Sequence, residues 1–235
     1  MTEAADPKRA AVLASIRQSL GRAGLSRDAR RELDDRIRRH KPNLIPKRGR
    51  GSHAEQVERF VAMAESVAAT VERLEKDADV PAALAAYLRQ HNLPMEVMLA
   101  PTDWLCDLPW DTQPMLTVRS GSARNEDVVS LTPAFAGIAE TGTLMMTSGG
   151  AHPTTLNFLP DHHVVAIRKG QIVGAYEDAW DRLRKDRKNG RGFDLPRTVN
   201  MITGPSRTGD IELTIHLGAH GPRSLHILLI DDDPA

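Results

Sequence analysis

Apolar residues recur at the spacing of an amphipathic helix in four segments of the chain. These predicted helices are residues 7–21, 53–76, 80–92 and 175–188. Short runs of apolar residues between and after them indicate buried strands. The predicted strands are residues 96–100, 115–118, 144–146, 160–167, 199–202 and 224–230. Because runs of both kinds alternate, we expect an α/β fold, an open and largely parallel sheet flanked by helices and joined by right-handed crossovers.

The N-terminal part differs from the rest because it is helical and basic. An arginine-rich polar stretch, residues 27–39, follows the first helix, and residues 41–52 hold two prolines and two glycines, as a linker does. We therefore predict an N-terminal helical arm and linker in residues 1–50 and the main domain in residues 51–235. One interpretation is a solvated arm. The other is docking of its apolar face on its own domain or on another subunit.

Composition excludes several classes of protein. The 31 Lys and Arg residues balance the 31 Asp and Glu residues, so no overall charge favours nucleic acid or an anionic membrane. No run of apolar residues is long enough for a membrane span, and the start lacks the order of a signal peptide, which predicts a cytoplasmic protein. The single cysteine, Cys106, excludes an internal disulfide, and its apolar neighbours predict a half-buried structural thiol.

A predicted strand near the C-terminus ends abruptly in a possible ligand-binding loop. The chain turns after Thr203, because Gly204 allows unusual backbone angles and Pro205 cannot continue a strand. Ser206 then stands where a helix N-cap would stand, and the free N–H groups of a helix start suit an anion. A second tight loop around Gly221 precedes the last strand. The alternative is that both loops are only sharp connections.

Residues 140–143 place a carboxylate, two hydroxyl groups and a glycine between apolar segments. A buried carboxylate is costly unless it is paired or hydrogen-bonded. Glu140 therefore either caps backbone N–H groups or pairs with a basic side chain, or it acts as a general base at the edge of a strand. Residues 148–150, Ser-Gly-Gly, follow that strand directly, where ligands tend to bind in open α/β sheets.

His162 and His163 open a predicted strand. Adjacent side chains of a strand point to opposite faces, so the pair cannot easily ligate one ion. No third ligand stands at a recognisable spacing, and we predict no metal site.

Four motifs follow one another in the sequence. They are Ala139-Glu-Thr-Gly-Thr-Leu144, Pro160 with His162-His163-Val, Thr203-Gly-Pro-Ser-Arg-Thr-Gly-Asp-Ile-Glu212 and Gly218-x-His-Gly-Pro-x-x-Leu225. In this order and spacing they resemble the LUD-domain family of lactate-utilisation proteins, specifically its short LutC subunit type. The resemblance covers about residues 53–231, and Ile16-Arg-x-x-Leu-Gly-Arg22 is similar to the start of such subunits. Arg207 stands where the family often has lysine.

The resemblance implies a fold related to the NagB/RpiA/CoA-transferase group, with residues 51–235 as the LUD domain. It also implies a subunit that works with two iron–sulfur partners, LutA-like and LutB-like, in oxidising L-lactate to pyruvate. The chain has one cysteine and no recognisable nicotinamide or flavin fingerprint. We therefore expect no cofactor in this chain and iron–sulfur clusters in the partner subunits.

In the site hypothesis, the loop of residues 140–143 and the loop of residues 204–206 face each other across the carboxyl edge of the sheet and hold a small carboxylate or phosphate. Glu140 or His220 handles a proton, and Arg207 is the counter-charge, while Asp210 and Glu212 orient the loop or His220. The predicted ligand-binding residues are Thr141, Gly142, Thr143, Gly204, Ser206, Arg207, Thr208, Asp210 and Gly221.

Two other classes of function remain as alternatives to the role of a subunit in lactate oxidation. One is a stand-alone enzyme acting on a phosphorylated or CoA-linked small molecule, and the other is a regulatory module that senses a carboxylate. A bound metabolite favours either of these two, whereas a requirement for partner proteins favours the subunit.

Overall fold

The computed structural model describes residues 7–21, 24–189, 192–208, 216–218 and 220–231. The chain divides into two compact units, Met1–Asn43 and Leu44–Ala235. The helices are α1 (Pro7–Ser19), α2 (Arg27–Arg39), α3 (His53–Ser66), α4 (Val80–Gln90), α5 (Asp103–Cys106) and α6 (Tyr176–Asp186). The strands are β1 (Thr70–Leu74), β2 (Glu96–Leu99), β3 (Thr117–Ser120), β4 (Val129–Pro133), β5 (Ala136–Ile138), β6 (Thr143–Thr147), β7 (His162–Arg168), β8 (Ile172–Val173), β9 (Lys188–Asn189), β10 (Gly192–Phe193), β11 (Val199–Ile202), β12 (Arg207–Thr208), β13 (His216–Leu217) and β14 (Ser224–Ile230).

The described residues of the first unit form two helices, of which the sequence predicted only α1. The Ser26 hydroxyl accepts a hydrogen bond from the Ala29 N–H at 3.2 Å and so caps α2. Arginines in the last turn of α2 complement the helix dipole, so the charges that suggested a polar stretch stabilise a helix. Both helices expose apolar side chains, those of Val12, Ile16, Leu20, Leu33 and Ile37. Across the part of the chain that the structure describes, none of the helices combines the length and apolar character that a membrane span needs.

The second unit is built on a six-stranded sheet whose strands are all parallel, in the order β1-β14-β7-β4-β2-β3. This arrangement confirms the α/β fold with an open parallel sheet. The central strand β7 is buried, and its side chains alternate between two cores. Val164 and Ala166 pack with α4, whereas Val165 and Ile167 pack with α3.

A second, mixed sheet lies on the α3 side, in the order β11-β6-β5-β8. Leu144 and Met146 of β6 contribute to the core that the two sheets share. Met145 points to the other face, where α6 covers it with Ala179 and Leu183. The layers of this unit therefore run from α4 through the parallel sheet, the shared core and the second sheet to α6.

The predicted helix over residues 53–76 is wrong in its second half. A capping box between Ser52 and Glu55 starts α3, but the helix ends at Ser66. Ala68 has a φ of 67°, a left-handed conformation that ends a helix, and β1 follows. The apolar residues of β1 happen to continue the helical spacing, which hid the boundary.

Residues 44–50, which the sequence grouped with the arm, belong to the second unit. The Arg59 guanidinium donates hydrogen bonds to the carbonyl oxygens of Arg48 and Arg50. The carbonyl oxygen of Gly49 lies so close to Gly174 that a Cβ on Gly174 would come within 2.0 Å of it. This segment is therefore fastened to the domain by backbone contacts.

Candidate ligand-binding site

A cavity of about 400 Å³ opens where β7 and β14 begin. Its lining comes from the start of these strands, from the segment before β7, and from the loops that follow β11 and precede β14. The lining residues are Asn157, Phe158, His163, Met201, Ile202, Thr203, Gly204, Pro205, Ser206, Arg207, His220, Gly221, Pro222 and Leu225. The structure thus brings five of the predicted site residues together, namely Gly204, Ser206, Arg207, His220 and Gly221.

The cavity lies at the amino edge of the parallel sheet, so the expected position at its carboxyl edge is wrong. His163 and Leu225 are the second residues of β7 and β14 and lie side by side in register. The strand before the first loop, β11, is not part of the parallel sheet but pairs antiparallel with β6. Its carboxyl end therefore arrives where the parallel strands begin.

Ser206 does not cap a helix, which corrects the prediction of an anion site at a helix start. The residues after it form β12, which pairs antiparallel with β13. The Ser206 N–H donates to the Pro222 carbonyl at 2.8 Å, and the Ser206 carbonyl accepts from the Gly218 N–H at 3.0 Å. These two bonds join the loops and use the Ser206 backbone, so its hydroxyl is the group that this residue offers to a ligand.

The carbonyl of Val67, in the turn after α3, fixes the first loop. Gly204 has a φ of 72°, and a Cβ there would lie 2.3 Å from the Val67 oxygen. The same oxygen accepts a hydrogen bond from Arg207 Nη2 at 3.0 Å. One of the five N–H groups of the guanidinium is thereby anchored, and the remaining ones can face an anion at the edge of the cavity.

His163 is a cavity residue that sequence reasoning considered only as a metal ligand. Its Nε2 lies 2.7 Å from Thr132 Oγ1, and its ring is buried. Its Nδ1 is buried and has no hydrogen-bond partner among the described residues. Burial lowers the pKa of His163 to about 3, so the imidazole is neutral near pH 7. The period of two in β7 was the available signal, since it puts His163 on the face of the shared core.

Hydroxyl groups connect the 140–143 segment to the rim of the cavity. Thr143 Oγ1 lies 2.7 Å from Thr203 Oγ1 and 3.0 Å from the Tyr176 hydroxyl. Thr141 Oγ1 lies 2.7 Å from Thr143 Oγ1. The two predicted loops therefore do meet, but Thr203 lines the cavity and the two threonines stand behind it.

Glu140 and Gly142 are not among the described residues that line the cavity. The Tyr176 N–H, at the start of α6, donates to Glu140 Oε1 at 3.3 Å. This contact favours the capping interpretation of the carboxylate, and its role as a base stays a prediction. Gly142 has a φ of 65° and lies against the backbone of Ala64 in α3, where a Cβ would come within 2.3 Å of the Ala64 nitrogen.

The charge of the cavity suits an anion. Arg207 and the exposed His220 stand at its edge, and none of the described lining residues is acidic. The residues that we call the apolar wall are Phe158, Ile202 and Leu225, which also line the cavity. The Thr208 side chain and residues Asp210 and Glu212 lie outside the described part of the chain, so their predicted roles stay predictions.

Other candidate positions lie away from this cavity. Residues 148–150 line a separate, open depression of about 720 Å³ together with His152 and Arg197. Cys106 is exposed rather than half-buried as predicted, because it ends the short helix α5 beside Ser120. Within the described residues, no three His, Cys, Asp or Glu side chains are grouped to hold a metal ion.

Part of the chain matches the model of a known family. Residues 126–230 match the LUD domain. This segment contains β4 through β14 and hence every lining residue of the cavity. This segment of the chain is therefore similar to the LUD domain, which confirms the resemblance drawn from the four motifs.

Individual relatives match the same part of the chain. Lactate utilization protein C of Bacillus subtilis (strain 168) is 32% identical over 104 residues, which are 44% of this chain and 42% of that protein. An uncharacterized protein of Neisseria meningitidis, NMB1437, is 41% identical over 100 residues, 43% of this chain and 41% of that protein. YkgG of Escherichia coli K12 is 30% identical over 123 residues, 52% of each chain. The chain thus spans between about two fifths and about half of the length of these relatives.

A solved structure shares the fold. The crystal structure of a DUF162 family protein from Deinococcus radiodurans superimposes with a TM-score of 0.57 at 20% sequence identity. The superposition covers 77% of this chain and 99% of that one.

Proposed function

We propose that this chain is a LutC-like subunit of a lactate-utilisation system and that its cavity binds a small carboxylate. The observation that carries this proposal is the cavity itself, in which the loops of two family motifs meet beside Arg207. The Bacillus subtilis relative is named lactate utilization protein C, and this name is the reason why we propose a role in lactate utilisation.

A carboxylate fits the groups that line the cavity. Arg207 offers planar N–H donors that match a carboxylate, and the Ser206 hydroxyl adds a neutral donor. Pro205 and Pro222 give the loops little freedom, which lowers the entropy cost of holding a ligand. L-lactate and pyruvate are the carboxylates that this setting suggests.

The oxidation of lactate removes two electrons, and in our proposal iron–sulfur partner subunits carry them. With a single cysteine, this chain does not supply the four thiolates that a cluster needs. Its part is to hold the carboxylate or its product while a partner performs the electron transfer.

We assign the binding of these partner subunits to the first unit. The apolar side chains of Val12, Ile16 and Leu20 in and after α1 are exposed, and burying them on another protein is favourable. The arm is also rich in arginine while the whole chain is neutral, so the arm suits a partner with an acidic surface.

Affinity purification from the native host grown on L-lactate tests the proposal. We expect the tagged full-length protein to bring down brown, iron-containing partners that reduce a dye with L-lactate only when this chain is present. The variant Val12→Ser/Ile16→Ser/Leu20→Ser is expected to lose at least about tenfold of the co-eluting iron, because three apolar contacts disappear. The exposed Gln18→Ala is the matched control on the same helix and should retain the partners.

Two outcomes would contradict the proposal. A colourless protein that elutes alone would favour a stand-alone enzyme on a phosphorylated or CoA-linked molecule. Partners that stay bound to the triple variant would rule out α1 as the docking surface.

A further inference from the structure

Four hydroxyl groups next to the cavity are joined by four hydrogen bonds. Thr141 Oγ1 donates to the Tyr176 hydroxyl at 3.2 Å. Thr143 Oγ1 lies 3.0 Å from the Tyr176 hydroxyl and 2.7 Å from Thr141 Oγ1, so these three groups form a triangle of hydrogen bonds. Thr203 Oγ1 is the fourth member and lies 2.7 Å from Thr143 Oγ1. Among the described residues, these hydroxyl groups make no other hydrogen bond.

The number of available hydrogens decides the direction of the bond between Thr143 and Thr203. Each hydroxyl group has a single hydrogen to donate. Because Thr141 donates to Tyr176, Tyr176 donates to Thr143 and Thr143 donates to Thr141. The triangle thus uses the hydrogens of all three members. The fourth bond is therefore donated by Thr203, whose hydrogen points at the buried Thr143.

Thr203 can consequently accept a hydrogen bond from a ligand but has no hydrogen left to donate. Its residue is exposed and lines the cavity, and the lone pairs of its oxygen have no partner among the described residues. Turning its hydrogen toward a ligand would break the bond to Thr143, and losing a hydrogen bond at a buried group is costly. A ligand hydroxyl satisfies this acceptor, whereas a keto oxygen would place two acceptors face to face.

We infer that Thr203 recognises the hydroxyl group of the bound acid, so that the cavity prefers a 2-hydroxy acid to the 2-oxo acid that its oxidation yields. The carboxylate pairs with Arg207, the hydroxyl on C2 donates to Thr203 Oγ1, and the alkyl group contacts the apolar wall. This inference rests on the proposed function, since it names the ligand class of the same site. Thr203 is then the residue that distinguishes substrate from product, and Tyr176 is a positioning residue that fixes the Thr203 hydrogen.

Calorimetric titration of the full-length protein tests the inference. The ligands are L-lactate, pyruvate and propanoate, which differ in the group on C2. We expect L-lactate to bind roughly 2- to 10-fold more tightly than propanoate, because it gains one hydrogen bond. Pyruvate should bind no more tightly than propanoate, because its keto oxygen finds no donor at Thr203. The ratio of the lactate and pyruvate affinities is therefore the quantity to follow in variants.

Two variants should bring this ratio close to one for different reasons. Thr203→Val removes the acceptor itself. Tyr176→Phe leaves every described lining residue of the cavity in place but opens the triangle. Thr141 can then donate to Thr143 and Thr143 to Thr203, which frees the Thr203 hydrogen for a keto oxygen. A merely structural role of Tyr176 would weaken the binding of both acids and leave their ratio unchanged.

Tyr87→Phe is the matched control, since it removes the hydroxyl of the other tyrosine in the chain. That hydroxyl lies 3.0 Å from both His162 Nδ1 and Ser224 Oγ, and Tyr87 is not among the described residues that line the cavity. We expect this variant to keep the ratio of the unaltered protein. Each ratio is measured within one protein, so partial loss of folded material does not alter it.

The outcomes separate this inference from the proposed function. Pyruvate that binds as tightly as L-lactate, or a preference for L-lactate that survives in Thr203→Val or in Tyr176→Phe, overturns the inference and leaves the carboxylate site intact. The absence of binding by all three acids overturns both.

Discussion

Replacing Gly142 with alanine is expected to lower the free energy of unfolding by about 2–5 kcal/mol, although no ligand contact is lost. A φ of 65° costs a residue with a Cβ about 1–2 kcal/mol. The new Cβ would lie 2.3 Å from the nitrogen of Ala64 and 2.6 Å from the carbonyl carbon of Met63. These are backbone atoms inside α3, so the helix itself has to shift, which adds about 1–3 kcal/mol.

Gly149→Ala is the matched control for this prediction. A Cβ on Gly149 meets nothing within 4 Å, and its φ is not left-handed. We expect its unfolding midpoint in a thermal melt to move by a few degrees at most, whereas that of Gly142→Ala falls by about 4–20 °C. Equal midpoints for the two variants would show that the segment does not pack on α3 as described.

Acidification from pH 7 to pH 4.5 is expected to destabilise the fold by up to about 5 kcal/mol through two buried histidines. Burial lowers the pKa of His163 to about 3, and burial together with the nearby His91 lowers the pKa of His226 to about 4. The unfolded chain binds a proton at each site below about pH 6.5, and the folded chain does not until pH 3 to 4. The contribution of these two histidines to the free energy of unfolding is therefore fully present above pH 6.5, and it is lost as the pH falls from 6.5 toward 4.

A substitution at His226 separates its share of this pH dependence from that of His163. Its ring stacks on Tyr87 at a centroid distance of 4.4 Å, and its Nδ1 lies 2.8 Å from Thr70 Oγ1. Glu72 lies 3.5 Å from Nε2, but it is exposed to solvent, which weakens its effect on the ring. Chemical denaturation of His226→Gln should show about half the change in unfolding free energy between pH 7 and pH 4.5. An unchanged pH dependence in this variant would contradict the assignment.

The sequence predicted the layout of the domain because the apolar runs that carry it are buried strands. Residues 164–167 of β7 and most of β14 are apolar, as strands covered on both faces are. The helix predicted over residues 53–76 failed where Ala68 adopts a left-handed conformation, because nothing in the spacing of apolar residues reveals a backbone angle. The α2 helix was missed although Ala29, Leu33 and Ile37 recur every four residues, because so few apolar residues among so many charged ones were interpreted as a polar stretch.

The sequence predicted the loops of the candidate site but not the lining residues His163 and Phe158. The sequence predicts turns at Gly204, Ser206 and Gly221, and the loops that contain these residues line the cavity. The location at the amino edge of the parallel sheet could not be predicted, because it depends on β11 joining the other sheet. His163 and Phe158 enter the site through strand register and a turn, both of which are tertiary features.

The central claim is that this cavity holds a carboxylate. A crystal structure of the protein crystallised in the presence of pyruvate tests this claim most directly. We predict electron density for the acid in the cavity, with its carboxylate about 3 Å from the Arg207 guanidinium and the Ser206 hydroxyl. Density for the acid in the depression at residues 148–150, with the cavity free of it, would contradict the account.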